Sequence, residues 1–296
     1  MSVHLNPGDS IGLVAPAGYV DPDAIRKGID VLSAWGFRLK TAEHLFGKYR
    51  HFSGKIQHRI DDIHSMLRDE SIQAIYAVRG GSGSSQLLPH LNFDLWKQSQ
   101  KLFIGFSDIT ALQWALWHKT GLPSLSGMTL TSQLHKNNPH SDLFFNQISA
   151  RVNSISADNL HSGDFVIAKA GSAEGILLGG NLSIIISLLG TPYFPAIHRD
   201  IIFYIEEINE PLYRIERAIV QLGQADFFKN VKGLVLGKFK VKSRYLGIWS
   251  AIKAFIPDNI PIVVNFPYGH FARSCALPLG VKSILSTNPL KIEWHF

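Results

Sequence analysis

The chain is short of cysteine, of charge and of long apolar runs, and each shortage removes a class of protein. Cys275 is the single cysteine in 296 residues, so no internal disulfide can form and no zinc site can be built from thiolates. There is no H-E-x-x-H and no Cys/His cluster at ligand spacing, so neither a metal nor a cofactor is expected. No apolar run reaches the roughly 18 residues that a membrane helix needs. The opening stretch Met1-Ser2-Val3-His4-Leu5-Asn6-Pro7-Gly8-Asp9 lacks the charged-then-apolar profile of a secretory signal. A soluble cytoplasmic protein is the expectation. Charged residues make up only 18%, and Lys plus Arg exceed Asp plus Glu by 29 to 23, a net +6. With no recognition motif and no aromatic–basic platform in the sequence, that small excess gives no reason to expect nucleic acid.

What is present is an ordinary globular composition, 46% hydrophobic, enough for a well-buried core. Short apolar runs alternate with amphipathic stretches through the first half, which predicts a parallel sheet covered by helices. Strands are expected at Ile11–Ala15, Ile72–Val78 and Leu102–Phe106, and helices over Pro22–Trp35 and Lys55–Glu70. On the second helix Ile56, Ile60, Ile63 and Leu67 form the apolar stripe, with Arg59, Asp61, Asp62 and Arg68 mostly off it. Breaker residues from His135 to Ser141 and a polar stretch from Ser154 to Gly163 place a domain boundary near residue 150. The fold class is therefore α/β, with an N-terminal parallel-sheet domain over residues 1–150 and a second, smaller mixed-sheet domain over 151–296. Strands there are expected near Phe165–Ala168, Gly175–Leu178, Ile201–Ile205, Gly233–Leu236, Ile262–Phe266 and Lys291–Trp294. Helices are expected near Leu182–Leu189, Tyr213–Leu222 and Leu246–Phe255.

In parallel sheets chemistry collects where strand C-termini meet helix N-termini, and two such junctions are unusual. Ser107 follows the strand Leu102–Phe106 and precedes a helix, so a sharp turn there would expose its hydroxyl, with the Asp108 N–H at a helix start suited to an oxyanion. Ser and Asp are equally the commonest helix N-caps, and one of the two is expected to cap this helix. The turn Arg79-Gly80-Gly81-Ser82-Gly83 has three glycines in four residues; its N–H groups could supply a second oxyanion donor or cradle a phosphate. It matches neither a P-loop nor a dinucleotide fingerprint. Glu206 ends the run Ile201–Ile205, where apolar neighbours would partly desolvate it, as suits a carboxylate that orients a histidine. Local sequence does not choose between Glu206 and Glu207. His270 sits in the Pro/Gly turn after Ile262–Phe266, and Ser, Glu and His at three strand mouths make a triad a candidate. Other groups have plainer readings: Trp114 and Trp117 as helix packing, Cys275 as a small buried residue, and Lys238, Lys240, Lys242 and Arg244 as a solvated strand edge.

Taken together, the motifs resemble the LD-carboxypeptidase family of serine peptidases, which includes muramoyltetrapeptide carboxypeptidases and microcin-immunity peptidases. The matching blocks run in order along almost the whole chain: Gly8–Pro16, Ala77–Gly83, Gly105–Thr110, Gly179–Leu182, Gly190–Pro192, Glu206–Arg214, and Gly269-His270 with Leu277–Gly280. The resemblance implies Ser107 as nucleophile, His270 as base and Glu206, not Glu207, as the acid of a triad. It implies Asp108 and Gly81 N–H groups as the oxyanion hole, and Arg79 and Gly80 as substrate-binding residues. It also implies a homodimer, with the site between the two domains, that acts on a muropeptide and releases terminal D-Ala from a murein tetrapeptide during recycling. Ala17, Ser82 and Ala276 depart from the residues common in relatives and bear on fine substrate contacts. Two other readings stand beside this one: the same triad acting on a microcin-type peptidyl or acyl-sulfamoyl nucleotide, and a catalytically silent module that binds peptide.

Overall fold

The computed structural model describes residues 4–160, 164–240 and 253–295. Two sheets organise it. The first half supplies β1 (Ser10–Val14), β2 (Arg38–Thr41), β3 (Ile72–Ala77), β4 (Leu102–Gly105) and β5 (Ser124–Ser126), with helices α1 (Pro22–Ala34), α2 (Ile56–Arg68), α3 (Phe93–Ser99) and α4 (Thr110–Thr120). After α5 (Ser141–Ile148) come β6 (Ser154–Ser156), β7 (Val166–Lys169), β8 (Ser172–Asn181), α6 (Leu182–Leu188), β9 (Ile201–Ile208), α7 (Leu212–Gln224) and β10 (Val231–Lys240). The chain closes with β11 (Ile262–Val264), β12 (Leu277–Leu279), β13 (Val281–Thr287) and β14 (Leu290–His295). The α/β class expected from the alternation is the class observed.

The first sheet has the order β12-β5-β4-β3-β1-β2. Its five N-terminal strands are parallel, and burial of both faces explains why β1, β3 and β4 read as nearly unbroken apolar runs. The sixth strand comes from far along the chain: β12 pairs antiparallel with β5, Leu277 opposite Ser126. The second sheet, β6-β14-β13-β8-β9-β10-β11-β7, has a parallel centre from β8 to β11 and antiparallel strands on either side. The expected boundary near residue 150 falls in the connection between α5 and β6.

Local sequence sets the ends of the elements. Asp21 caps α1 by accepting from the Asp23 N–H, and Pro22 sits where a missing N–H costs nothing. On α2 the polar residues divide differently from the sequence expectation. Arg59 and Asp62 are only 2% and 4% exposed, because both side chains find partners under the helix. Arg59 Nη1 donates to Pro16 O and Gly83 O, and Nη2 to Gln86 Oε1; Asp62 accepts from the His44 backbone and ring. The breaker-rich stretch before residue 150 also contributes to the core, since Phe144 of α5 packs on Trp35 and Tyr76.

The halves share one interior. Trp114 on α4 is fully buried, stacks on Phe194 with ring centroids 5.3 Å apart, and donates its indole N–H to Gly179 O on β8 at 2.8 Å. Of the lysine stripe, Lys238 does not stand on a free strand edge, because its N–H bonds Tyr268 O. Lys238 is half-buried and Lys240 exposed, while Lys242 and Arg244 lie outside the described residues. The expected helix Leu246–Phe255 is described only at Lys253–Phe255, as one short 3₁₀ turn. Among the described residues no helix is long and apolar enough to cross a membrane.

Candidate active site

The junction after β4 is a strained elbow. Ser107 takes φ 66°, a left-handed backbone that side chains other than glycine, Asn and Asp rarely adopt and that tends to mark functional positions. Gly105 makes the turn feasible, since a Cβ there would lie 2.3 Å from Ile109 Cγ2. Neither Ser107 nor Asp108 caps the following helix with its side chain, contrary to the capping expectation, because each is used elsewhere. Asp108 Oδ2 accepts from the Ser84 N–H at 2.8 Å, and Ser84 Oγ donates to Asp108 O at 2.5 Å. The Asp108 carboxyl is held above the usual range by burial, with the Ser84 bonds and the Arg59 charge opposing. Arg59 in turn is lowered by its own burial.

Ser107 points toward the second half of the chain. Its Oγ lies 2.8 Å from His270 Nε2, and His270 Nδ1 lies 2.7 Å from Glu206 Oε2. A carboxylate can only accept, so Nδ1 carries the ring proton and Nε2 is left to accept the serine hydroxyl. Glu206 does not end its strand. It sits inside β9, which runs on to Ile208, opposite Asn181 of β8. Its side chain is 0% exposed, against 22% for His270. Glu207 serves a different purpose: it accepts from the Ser183 N–H at the start of α6 and from its neighbour Ile208 N–H. Burial raises its pKa.

Sequence reasoning missed the residue that joins the two glutamates. Asn181 Nδ2 donates to Glu206 Oε1 at 3.1 Å and to Glu207 Oε1 at 3.0 Å, while Oδ1 caps α6 at the Ile184 N–H. Its backbone N–H bonds Thr110 Oγ1 on α4. The Asn before an apolar helix was a legible cap signal; its second use was not.

His270 is positioned by residues from both halves. Tyr268 OH meets Ser126 Oγ of β5 at 2.7 Å, and Gln133 Nε2 donates to Gly269 O at 2.9 Å. The Phe106 ring packs 4.8 Å from the imidazole. Cys275 is fully buried nearby, its thiol pKa pushed up by that burial.

The glycine turn lies against the serine. A Cβ on Gly80 would stand 2.7 Å from Ser107 Cβ, and Gly81 takes φ 124°. Gly80 O accepts from the Gly18 N–H. Arg79 directs Nη1 at Tyr19 O, 2.7 Å away, and Nε at Gly80 O, so these donors brace the turn. Among the described residues no three His, Cys, Asp or Glu side chains converge to hold a metal ion.

Comparison with known proteins bears on the same residues. The LD-carboxypeptidase N-terminal domain matches residues 11–127, and the LD-carboxypeptidase C-terminal domain matches residues 174–285. The chain belongs to the LD-carboxypeptidase family. It is a serine-type carboxypeptidase, a hydrolase. A probable murein peptide carboxypeptidase of Bacillus subtilis is 29% identical over 96% of this chain and 90% of its own length. The microcin C7 self-immunity protein MccF of Escherichia coli is 27% identical over 95% of this chain and 92% of its own. The crystal structure of muramoyltetrapeptide carboxypeptidase from Oxalobacter formigenes superimposes with a TM-score of 0.83 at 27% identity, covering 96% of this chain and 97% of that one. Ser107 falls within the first matched domain of this LD-carboxypeptidase, and Glu206 and His270 within the second.

Proposed function

We propose that this carboxypeptidase removes the terminal D-Ala of murein tetrapeptides through an acyl-enzyme on Ser107. The observation that carries the reading is the hydrogen-bond chain from Ser107 through His270 to Glu206. His270 Nε2 takes the hydroxyl proton as Ser107 attacks the scissile carbonyl, and later gives it to the leaving amine. Glu206 holds the Nδ1–H tautomer and stabilises the imidazolium, and Asn181 fixes the carboxylate by its other oxygen. The N–H groups of Asp108 and Gly81 are assigned to the oxyanion, where donors fixed in advance contribute most. Water then attacks the acyl-enzyme with His270 again as base. The enzyme is assigned to muropeptide recycling in the cytoplasm and to a homodimer, with its two domains meeting at the site near the division at residue 150.

The catalytically silent alternative leaves the left-handed Ser107 and its 2.8 Å contact without a purpose. The microcin-type alternative keeps the triad and changes the acyl group's partner; the likeness to the Escherichia coli protein keeps it as the second reading. Purified protein is expected to release D-Ala from a muramoyl tetrapeptide. Ser107→Ala should lower the rate by on the order of 10⁴-fold or more. A variant that keeps its activity removes the serine mechanism, and a wild type that cleaves only peptidyl nucleotides removes the substrate.

A further inference from the structure

Sequence alone offered no aromatic–basic platform, yet the fold assembles one and ties it by backbone hydrogen bonds to the glycine turn that abuts Ser107. Between Glu43 and Asp61 the chain has no carboxylate residue and carries Lys48, Arg50, Lys55 and Arg59. Within it, Tyr49 and Phe52 exchange two backbone hydrogen bonds across a tight turn, and Tyr49, Arg50 and His51 are exposed at its tip. The turn is tied to the site by backbone: the Tyr19 N–H bonds His51 O, the Gly18 N–H bonds Gly80 O, and Gly80 abuts Ser107. Lys48 Nζ sits 4.3 Å from the centre of the Tyr19 ring, and the Arg50 guanidinium 5.6 Å from that of Tyr49.

Two features mark this rim as built for a ligand. Arg50 occupies φ 59°, a turn position that favours Gly or Asn, so a long cationic side chain is kept where the backbone disfavours it. Each exposed tyrosine ring also lies beneath a cation, which orders the ammonium or guanidinium without neutralising it. What the rim presents outward therefore includes positive charge that the two rings hold in place.

We propose that Lys48 and Arg50 form an accessory subsite for a carboxylate on the upstream, non-scissile part of the peptide substrate. The proposal rests on the peptidase reading and extends it to substrate choice. Binding energy gathered there would anchor the peptide while its C-terminal end lies at Ser107.

Two acylated tetrapeptides ending in D-Ala test it, identical except for glutamate or glutamine at the second position. The wild type should favour the glutamate peptide by about fivefold in kcat/KM, the size expected of one or two partly exposed charge contacts, and less as salt rises. In Lys48→Gln/Arg50→Gly the two peptides should be cleaved within about twofold of each other. Glycine suits the left-handed position, so this variant loses charge without losing the turn. A preference that survives in the variant, or is missing in the wild type, overturns the subsite and leaves the peptidase reading intact. Should the wild type cleave neither peptide, the peptidase reading falls and equilibrium binding to Ser107→Ala decides the subsite. Tighter binding of the glutamate peptide, lost when Lys48 and Arg50 are changed, upholds it. Equal binding of both peptides, or their displacement by adenosine monophosphate alone, overturns it.

Discussion

Asp108 shows how a residue can be chosen for its backbone and still constrain the protein through its side chain. Its N–H is the assigned oxyanion donor, while its carboxyl is buried against Ser84 and held above the usual carboxylate range chiefly by desolvation. A carboxyl raised in the folded state keeps its proton longer than in the unfolded chain. Folding stability therefore falls as pH rises from about 4, where the unfolded carboxyl ionises. Asp108→Asn retains an oxygen for the Ser84 N–H and cannot ionise. The variant should gain on the wild type between about pH 4 and pH 7, measured by urea unfolding at both values; parallel behaviour would show that the carboxyl is not raised. At this scale the sequence was informative where chemistry is local. Ser107 and His270 stand at turns that any reader of strands would inspect. Arg59, and Asn181 beyond its helix cap, were opaque, because their partners at Pro16, Gly83, Glu206 and Glu207 are brought to them only by the tertiary fold.

Elements were legible in proportion to their apolar content. The runs β1, β3, β4 and β9 announced themselves because strands buried on both faces read as unbroken hydrophobic stretches. The short strands β2, β5, β6 and β12 did not, nor did the seven-residue β13, whose alternating buried and exposed residues make no unbroken apolar run. β12 contains Pro278 and pairs with β5 from across the molecule, a relation that local propensity cannot encode. The glycine turn after β3 is the element whose shape matters most to the chemistry. A methyl on Gly80 would press on Ser107 Cβ at 2.7 Å and Phe106 O at 3.0 Å, so the elbow must shift to accept it. Gly80→Ala should cost about 1–3 kcal/mol of stability and lower kcat by on the order of 100-fold, as a small misplacement of a nucleophile does. Thermal unfolding and steady-state kinetics on the same preparation separate the two effects. A kcat within threefold of wild type, about 0.65 kcal/mol, would show that the turn yields without disturbing Ser107.

At the scale of the whole molecule the candidate site belongs to neither half. Ser107 comes from the first sheet and the Glu206–His270 pair from the second, and the first half also reaches across to hold the histidine turn. Gln133 is the clearest such strut: fully enclosed, it accepts the Thr129 N–H at Oε1 and donates from Nε2 to Gly269 O, one residue before His270. His140 and Gln147 bond Arg273 O and Ala276 O in the same way, so three side chains of one segment fasten the loop that carries His270. A hydrogen-bonded amide at Gln133 fixes the imidazole relative to Ser107 without touching substrate. Gln133→Met keeps the volume and removes both bonds; the Thr129 N–H is left buried and unpaired while Gly269 O keeps its bond from the Phe271 N–H, at a cost of about 1–3 kcal/mol. If the strut positions His270, kcat should fall about tenfold while KM stays within about twofold, the pattern of an interaction felt in the transition state and not in ground-state binding. A folded variant with wild-type kcat would show that Gln133 does not position His270 and would leave that task to His140, Gln147, Tyr268 and the bond to Glu206.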